Sequence, residues 1–205
     1  MTDTATDWFA PTVLSGEFVR LEPMEVRHIV GLTVAGRDPR MWTWMPADGS
    51  TPSGMRGIVD AAIAGREAGS MVPFVTIEQA ADRVVGSSRY LNLAPDDLRL
   101  EIGWTWIDPE FQRTSINTEA KLLMLGHAFD DLGCRLVELK TDALNEQSRA
   151  AILGIGATFE GTFRKHMVMA AGRARDTAYY SILDDEWPSI RDRLRARLDR
   201  HRPDG

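Results

Sequence analysis

A stretch in the middle of the chain has the residue types and spacing of an anion-binding site. Residues 100–121, LEIGWTWIDPEFQRTSINTEAK, are predicted to form a strand, a tight loop and the first turns of a helix. The first backbone N–H groups of a helix have no partner within the helix, and together with the helix dipole they attract anions such as a pyrophosphate. Every junction of this kind has such a terminus, so the pattern indicates an anion site without identifying the anion.

Side chains that bind metals or act as nucleophiles are few. Cys134 is the one cysteine, which excludes an internal disulfide and a multi-cysteine metal site, and its apolar surroundings predict a small buried hydrophobe. The four histidines, at positions 28, 127, 166 and 201, show no metal-ligand spacing, so no metal is predicted. His166 and Tyr179 could each act as a general acid, although a lone histidine beside two basic residues is more often a surface residue.

Several tryptophans could shape a pocket for a cation, because the face of an aromatic ring attracts positive charge. Trp42 and Trp44 precede a loop rich in Gly, Ser and Pro, which favours a place on the substrate side. Trp104 and Trp106 share the strand parity of the apolar residues before them, which favours core packing. Trp104 is kept as a third candidate for the substrate pocket.

The composition is that of a soluble globular protein and excludes several classes of function. The 205 residues carry 30 acidic and 24 basic side chains, for a net charge of -6. This balance argues against nonspecific DNA or RNA binding, which depends on Lys and Arg neutralising phosphates. The polar start of the chain is no signal peptide, and no apolar run approaches the ~20 residues that a membrane span needs. We therefore predict a cytoplasmic protein without nucleic-acid or membrane partners.

Hydrophobic periodicity predicts the elements that must position these residues. Helices are predicted at 25–34, at 53–68 with Ser53 as the N-cap, and at 117–132, 145–153 and 186–200. The last helix is basic, but its stripe of Ile190, Leu194 and Leu198 favours packing against the domain, or a homodimer interface, over RNA binding. Strands are predicted at 17–23, 72–77, 83–88, 98–107, 136–141, 158–168 and 176–183.

The order of these elements predicts one mixed α/β domain. No repeat or linker divides the chain, so a single domain is expected over residues 15–205, after a flexible arm over residues 1–14. The domain is expected to contain a central, mostly antiparallel twisted sheet of about seven strands, flanked by helices.

The sequence resembles the RimJ/RimL-type N-acetyltransferases of the GNAT superfamily. The resemblance rests on the turn at 107–109, the loop at 112–113 and the run NEQSRAAI at 145–152, followed by FEG at 159–161, and it covers roughly residues 17–187. It implies the GNAT fold, with acetyl-CoA as the cosubstrate and transfer of its acetyl group to a primary amine. The acceptor stays open between a small-molecule amine, which we slightly favour, and a protein N-terminus or lysine.

The resemblance also implies which residues hold CoA. The loop before the long helix would cradle the pyrophosphate, and the positions implied are Ile107, Gln112, Arg113, Thr114, Ser115, Ile116, Asn117 and Thr118. The family has glycines where this chain has Ser115 and Asn117, and Asn117 is predicted to compensate as the helix N-cap. Arg113 and Lys121 could supply positive charge to the phosphates or be plain solvated residues.

For the chemical step, the resemblance implies a base and an acid. Glu101 would take the proton of the protonated amine, directly or through water; the alternative is a solvent-facing glutamate on an alternating strand. Asn145 would hydrogen-bond the pantetheine arm of CoA and Ser148 would protonate the leaving thiolate, while helix capping is the alternative for both. The two replaced glycines keep a second hypothesis open, a catalytically inactive GNAT-fold module that senses acyl-CoA or binds a partner.

Overall fold

One sheet of eight strands runs through the part of the chain that the structure, a computed structural model, describes: residues 7–169 and 172–200. The strand order is β1-β2-β3-β4-β5-β6-β8-β7, and every neighbouring pair is antiparallel except β5 with β6. The predicted mixed α/β fold with a mostly antiparallel sheet is therefore confirmed. The strands are β1 (Leu14–Ser15), β2 (Val19–Pro23), β3 (Met71–Glu78), β4 (Arg83–Ala94), β5 (Arg99–Ile107), β6 (Leu136–Asp142), β7 (Thr158–Val168) and β8 (Ala174–Leu183).

In the described part of the chain, five α-helices pack on the two faces of the sheet. They are α1 (Ile29–Ala35), α2 (Pro52–Glu67), α3 (Ser115–Gly126), α4 (Glu146–Gly154) and α5 (Trp187–Asp199). The predicted cap of α2 is wrong, because the side chain of Thr51, not Ser53, accepts a hydrogen bond from the Gly54 N–H. Within the described residues, no helix has the length and apolar character needed to cross a bilayer. The cytoplasmic location stays a prediction.

The sheet separates two apolar clusters. The larger cluster joins the sheet to α3 and α5, and the smaller one joins it to α1 and α2. Ile190, Leu194 and Leu198 of α5 are all buried, which confirms the predicted packing of this helix against the domain. The homodimer suggested for the same helix stays a prediction.

The start of the chain is tied to the domain from residue 8 onward. Trp8 packs against the larger cluster, and Leu14 of β1 pairs with Leu21 of β2. The Glu119 carboxylate of α3 accepts hydrogen bonds from the backbone N–H groups of Phe18 and Val19 at 2.6 and 2.7 Å. Residues 1–6 of the predicted arm lie outside the described residues, and the division of the chain into arm and domain stays a prediction.

A β-bulge in β5 changes the direction of the tryptophans. Between Ser87 and Arg89 the chain of β4 advances by two residues, while the paired segment of β5 advances by three. Trp104 lies within this bulge and has φ +52°. Leu100 before the bulge therefore belongs to the larger cluster, while Trp106 after it belongs to the smaller cluster. The predicted core packing of Trp106 is confirmed, but on the opposite face from the preceding apolar residues, because one extra residue moves the following side chains to the other side of the sheet.

Candidate functional site

A cavity opens where the two parallel strands of the sheet separate. β5 and β6 pair only at their first three positions, the last of which joins Glu101 to Glu138. Beyond that point lies a cavity of about 950 Å³, whose walls include residues 102–107 of β5 and 139–141 of β6. Ligands of open α/β sheets bind outside the carboxyl ends of parallel strands, and this volume suits a ligand of cofactor size.

The N-terminus of α3 forms one wall of the cavity. The side chain of Thr114 caps the helix by accepting a hydrogen bond from the Ile116 N–H at 3.3 Å. The predicted cap, Asn117, is wrong, since it is the third residue of the helix; its buried Oδ1 has no hydrogen-bond partner among the described residues. By helix geometry the N–H groups of Ser115 and Asn117 have no intrahelical carbonyl partner, which leaves donors for an anion.

Most of the residues implied for CoA binding line this cavity. Those that do are Ile107, Gln112, Arg113, Thr114, Asn117, Thr118, Asn145 and Ser148. Ser115 and Ile116 do not, because their side chains are turned inward, with 9% and 3% exposure, and Ile116 belongs to the larger apolar cluster. At these two positions a ligand can be reached through the backbone N–H groups and not through the side chains, and their role in binding stays a prediction.

The start of α4 forms the next part of the same wall. The Asn145 Oδ1 accepts a hydrogen bond from the Ser148 N–H at 3.0 Å, so the capping alternative for Asn145 is present in the structure. This bond does not use the Asn145 Nδ2 group or the Ser148 hydroxyl, and both residues line the cavity. The side chain of Gln147 donates a hydrogen bond to Gln112 at 3.0 Å, which connects α4 to the loop before α3.

Glu101 is a buried residue of the cavity wall. Only 2% of it is exposed, so the alternative of a solvent-facing glutamate is wrong. Its Oε2 accepts a hydrogen bond from the Asn92 Nδ2 at 2.7 Å and pairs with the Lys140 Nζ at 2.7 Å. Its Oε1 has no such partner among the described residues, and the absence of a side chain at Gly103 leaves room beside it, because a Cβ there would lie 2.8 Å from this oxygen. One oxygen of the carboxylate is therefore held, and the other is available to a ligand.

The three tryptophans predicted for the substrate side divide into two groups. Trp44 and Trp104 line the cavity, and an arginine lies over each ring: Arg173 at 5.6 Å from Trp44 and Arg89 at 4.3 Å from Trp104. Trp42 is corrected to a core residue, because it is 5% exposed, belongs to the smaller apolar cluster and does not line the cavity.

Lys121 of α3 is a buried lysine, so the expectation of a solvated residue is wrong. It is 5% exposed and donates hydrogen bonds to the Ser88 Oγ at 3.1 Å and the Thr105 Oγ1 at 2.6 Å. No carboxylate of the described residues pairs with it, and burial lowers its pKa to about 7. It lines the cavity on the side of α3, while Arg113 lies exposed at the mouth with φ +63°.

Sequence reasoning missed several charged or polar residues of the site. Asn92 lies in the half of β4 that was not predicted as strand, and Lys140 meets Glu101 across the parallel pairing of β5 and β6. Arg175 of β8 also lines the cavity. Alternation along each strand could have placed these side chains on a face, but the sequence carries no signal for the register between distant strands.

The remaining candidates lie away from the cavity. His166 is within 3.4 Å of the Tyr179 hydroxyl, but neither residue lines the cavity. Cys134 is 2% exposed, and burial raises its pKa to about 12, which fits the predicted buried hydrophobe and not a nucleophile. Within residues 7–169 and 172–200, no group of His, Cys, Asp and Glu could hold a metal ion.

Comparisons with known proteins agree on one family. The family described as "Acetyltransferase (GNAT) domain" matches residues 19–158. The crystal structure of a GCN5-related N-acetyltransferase from Brucella melitensis is 32% identical, with a TM-score of 0.85, over 91% of this chain and 85% of that chain. The structure of Mycobacterium smegmatis RimJ in complex with CoA-disulfide is 22% identical, with a TM-score of 0.77 over 92% of this chain and 95% of that one, and it shares the fold.

One curated sequence also matches. It is "Putative ribosomal N-acetyltransferase YdaF" of Bacillus subtilis (strain 168), which is 35% identical over 96 residues. The match covers 47% of this chain and 51% of the relative, so it spans about half the length of the curated protein. Together these findings confirm the predicted GNAT fold and the resemblance to the RimJ/RimL-type branch.

Proposed function

The chain belongs to the GNAT acetyltransferase family, whose members use acetyl-CoA, and we propose that it transfers the acetyl group of acetyl-CoA to a primary amine by direct attack in a ternary complex. The observation that carries the proposal is the buried Glu101, whose Oε1 is free at the cavity while its Oε2 is held by two partners. In such a reaction the protein supplies positioning, a base and stabilisation of developing charge, without a covalent enzyme intermediate.

The residues of the α3 and α4 wall fit the anionic and amide groups of acetyl-CoA. The first N–H groups of α3 and the nearby Arg113 suit the pyrophosphate. The Asn145 Nδ2, which the capping bond leaves free, suits an amide carbonyl of the pantetheine arm. The edges of β5 and β6 no longer pair with each other beyond Glu101, so their backbone groups can hydrogen-bond a linear ligand in the gap.

Two side chains then move protons. The Oε1 of Glu101 accepts a proton from the ammonium form of the amine, directly or through water, and the freed nitrogen attacks the thioester carbonyl. The C–N bond forms and the C–S bond breaks. The Ser148 hydroxyl donates its proton to the leaving thiolate and regains one, directly or through water, from the nitrogen, which must lose its second proton to become an amide. Asn92 and Lys140 hold the carboxylate in place through its other oxygen, Oε2.

The test replaces the base without changing its shape. We expect Glu101→Gln to lower kcat by about 100-fold, the lower end of the usual contribution of a general base. Its affinity for acetyl-CoA, measured by calorimetric titration, should change less than threefold. The matched control is Glu138→Gln, because Glu138 is the register partner of Glu101 in the parallel strand β6 but does not line the cavity. Equal turnover of Glu101→Gln and the wild type at every pH tested would remove Glu101 from the mechanism.

The same measurements separate this proposal from an inactive acyl-CoA sensor. Thiol release from acetyl-CoA with a panel of amines is expected for the enzyme, and binding of acetyl-CoA without thiol release is expected for the sensor. Absence of binding to both acetyl-CoA and CoA would contradict both functions, since each needs a working phosphate loop.

A further inference from the structure

The sheet face that carries Glu101 also carries a buried arginine. Directly opposed residues of an antiparallel pair point to the same side of a sheet, and side chains alternate along each strand. Asp142 of β6 lies opposite Thr177 of β8, and Lys140 precedes Asp142 by two residues. Arg175 precedes Thr177 by two residues, so it projects from the same face as Lys140 and its ion-pair partner Glu101. Arg175 and Glu101 both line the cavity.

The guanidinium of Arg175 forms no ion pair among the described residues. The residue is 6% exposed, and its Nε is a buried atom without a hydrogen-bond partner. Glu101 and Asp142 are close enough to attract it, but each already binds another cation: Glu101 binds Lys140, and Asp142 binds Arg173. Burial lowers the pKa of Arg175, yet a guanidinium stays protonated at neutral pH. A buried positive charge without an ion-pair partner of its own therefore lies at the cavity, which is costly in an empty protein and favourable once an anion binds.

We propose that Arg175 binds a carboxylate of the acceptor, so that the substrates are amines that carry a carboxylate a few ångströms from the reacting nitrogen. This inference rests on the proposed acetyl transfer. A guanidinium matches a carboxylate in shape and can bind it through two parallel hydrogen bonds. The N-terminus of α3 is the proposed site for the phosphates of acetyl-CoA, and this helix packs on the other face of the sheet. Arg175 instead projects from the face that carries Glu101.

Two kinds of molecule carry this pair of groups. A free amino acid has an amine and a carboxylate on one small molecule, and a peptide with an acidic residue near its N-terminus presents the same pair. We assign the site to the free amino acid, because Arg175 is almost completely buried and a small molecule reaches it without a chain that must leave the cavity.

The first experiment compares matched acceptors on the wild-type protein. Linear amino acids of increasing length, beginning with glycine, are compared with their carboxamides, and a peptide beginning Ala-Glu is compared with one beginning Ala-Gln. We expect kcat/KM to be at least tenfold higher for one length of amino acid than for its carboxamide, and no such preference between the two peptides. A preference for the acidic peptide alone would overturn the assignment to free amino acids, and equal rates for every carboxylate and carboxamide pair would overturn the role of Arg175.

The second experiment changes the arginine. Arg175→Gln should raise KM for the preferred amino acid by 10-fold or more. The KM values for its carboxamide and for acetyl-CoA should stay within threefold of those of the wild type. The matched control is Arg164→Gln, which removes an exposed arginine from the neighbouring strand β7. A purely structural role would instead lower the melting temperature of Arg175→Gln and weaken every acceptor equally, and that result would contradict the proposal.

Direct binding keeps this inference separate from catalysis. Calorimetric titration of the same amino acids into the complex of the protein with CoA requires no turnover. Binding by the wild type but not by Arg175→Gln supports the carboxylate site. If no thiol is released in that case, the proposed acetyl transfer fails while the carboxylate site stands. Equal binding by both proteins, or binding by neither, would overturn the carboxylate site.

Discussion

The two walls of the cavity obtain their polar groups in different ways. The cofactor wall, which consists of residues 112–118 and the start of α4, offers mainly backbone N–H groups and the capping residue Asn145. The acceptor wall, on the face of β5, β6 and β8 that carries Glu101, offers charged side chains, most of them already joined in ion pairs. The cofactor wall therefore depends on local helix geometry, and the acceptor wall depends on contacts between distant strands.

This difference determines how each wall should respond to mutation. A group supplied by the backbone survives most side-chain changes, so the replacement of the family's loop glycines by Ser115 and Asn117 is compatible with a phosphate site. A buried ion pair leaves an uncompensated charge when one partner is removed. We therefore expect large effects on stability from the acceptor wall and small ones from the cofactor wall.

The largest effect is expected from the partner of the proposed base. Among the described residues, Lys140→Met leaves the buried Glu101 with the Asn92 amide as its remaining partner, and we expect it to lower the free energy of unfolding by about 3 kcal/mol, as for other broken buried pairs. The double variant Glu101→Gln with Lys140→Met removes both charges and should recover most of that loss. Urea unfolding of the wild type, both single variants and the double variant gives the coupling energy.

An exposed ion pair provides the control for this cycle. Arg56 and Asp60 lie on α2 with side chains more than half exposed, so Arg56→Met should cost at most about 0.5 kcal/mol. A loss from Lys140→Met no larger than that would show that water screens the Glu101 pair, and the proposed contrast between the two walls would not hold.

A smaller effect of opposite sign is expected from Lys121 of α3, which lies just beyond the cofactor wall. Lys121→Met removes a buried amine that pairs with no carboxylate in the described part of the chain, while Ser88 and Thr105 keep a hydrogen bond to each other at 2.7 Å. At about 1.4 kcal/mol per pKa unit, less the hydrogen bonds lost, we expect the variant to be about 2 kcal/mol more stable at pH 7. Urea unfolding at several pH values measures this difference.

The pH dependence gives the sign of that effect. The pKa of Lys121 is about 7 in the folded protein, against 10.5 for an ordinary lysine, so between these values the unfolded chain binds more protons than the folded one. The cost of charging Lys121 is therefore fully present below pH 7 and disappears as the pH rises toward the value of an ordinary lysine. The advantage of Lys121→Met should shrink over the same range, and an advantage that is constant with pH would show that Lys121 is not desolvated.

The same contrast explains what could be predicted from the sequence. The cofactor wall was found by reading consecutive residues, because a strand, a loop and a helix start follow one another along the chain. Even there, Asn117 was predicted as the N-cap of α3, whereas the structure has Thr114, since several neighbouring residues can cap a helix. The sequence singled out Glu101 as the charged residue of an apolar strand, but it did not predict that this residue is buried.

The acceptor wall could be predicted only in part, for physical reasons. The pairing of Glu101 with Lys140 depends on the register of two parallel strands, and the sequence between them does not encode that register locally. The bulge at Trp104 has no local signal either, because tryptophan is not a residue that favours positive φ. Arg175 lies one residue before the predicted strand at 176–183, and nothing in the sequence distinguishes it until the strand and the partners of its neighbours are known.

The smallest expected effect separates the two roles of Asn145 in the cofactor wall. Its Oδ1 caps α4 and its Nδ2 is proposed to bind the pantetheine arm, so a serine, which caps equally well but lacks the amide donor, should remove one role and keep the other. We expect Asn145→Ser to unfold within about 0.3 kcal/mol of the wild type and to bind acetyl-CoA about fivefold more weakly, the worth of about one hydrogen bond. Asn145→Ala should lose about 1 kcal/mol of stability in addition. Calorimetric titration with acetyl-CoA and urea unfolding measure the two quantities separately, and unchanged affinity in Asn145→Ser would leave Asn145 as a helix cap only.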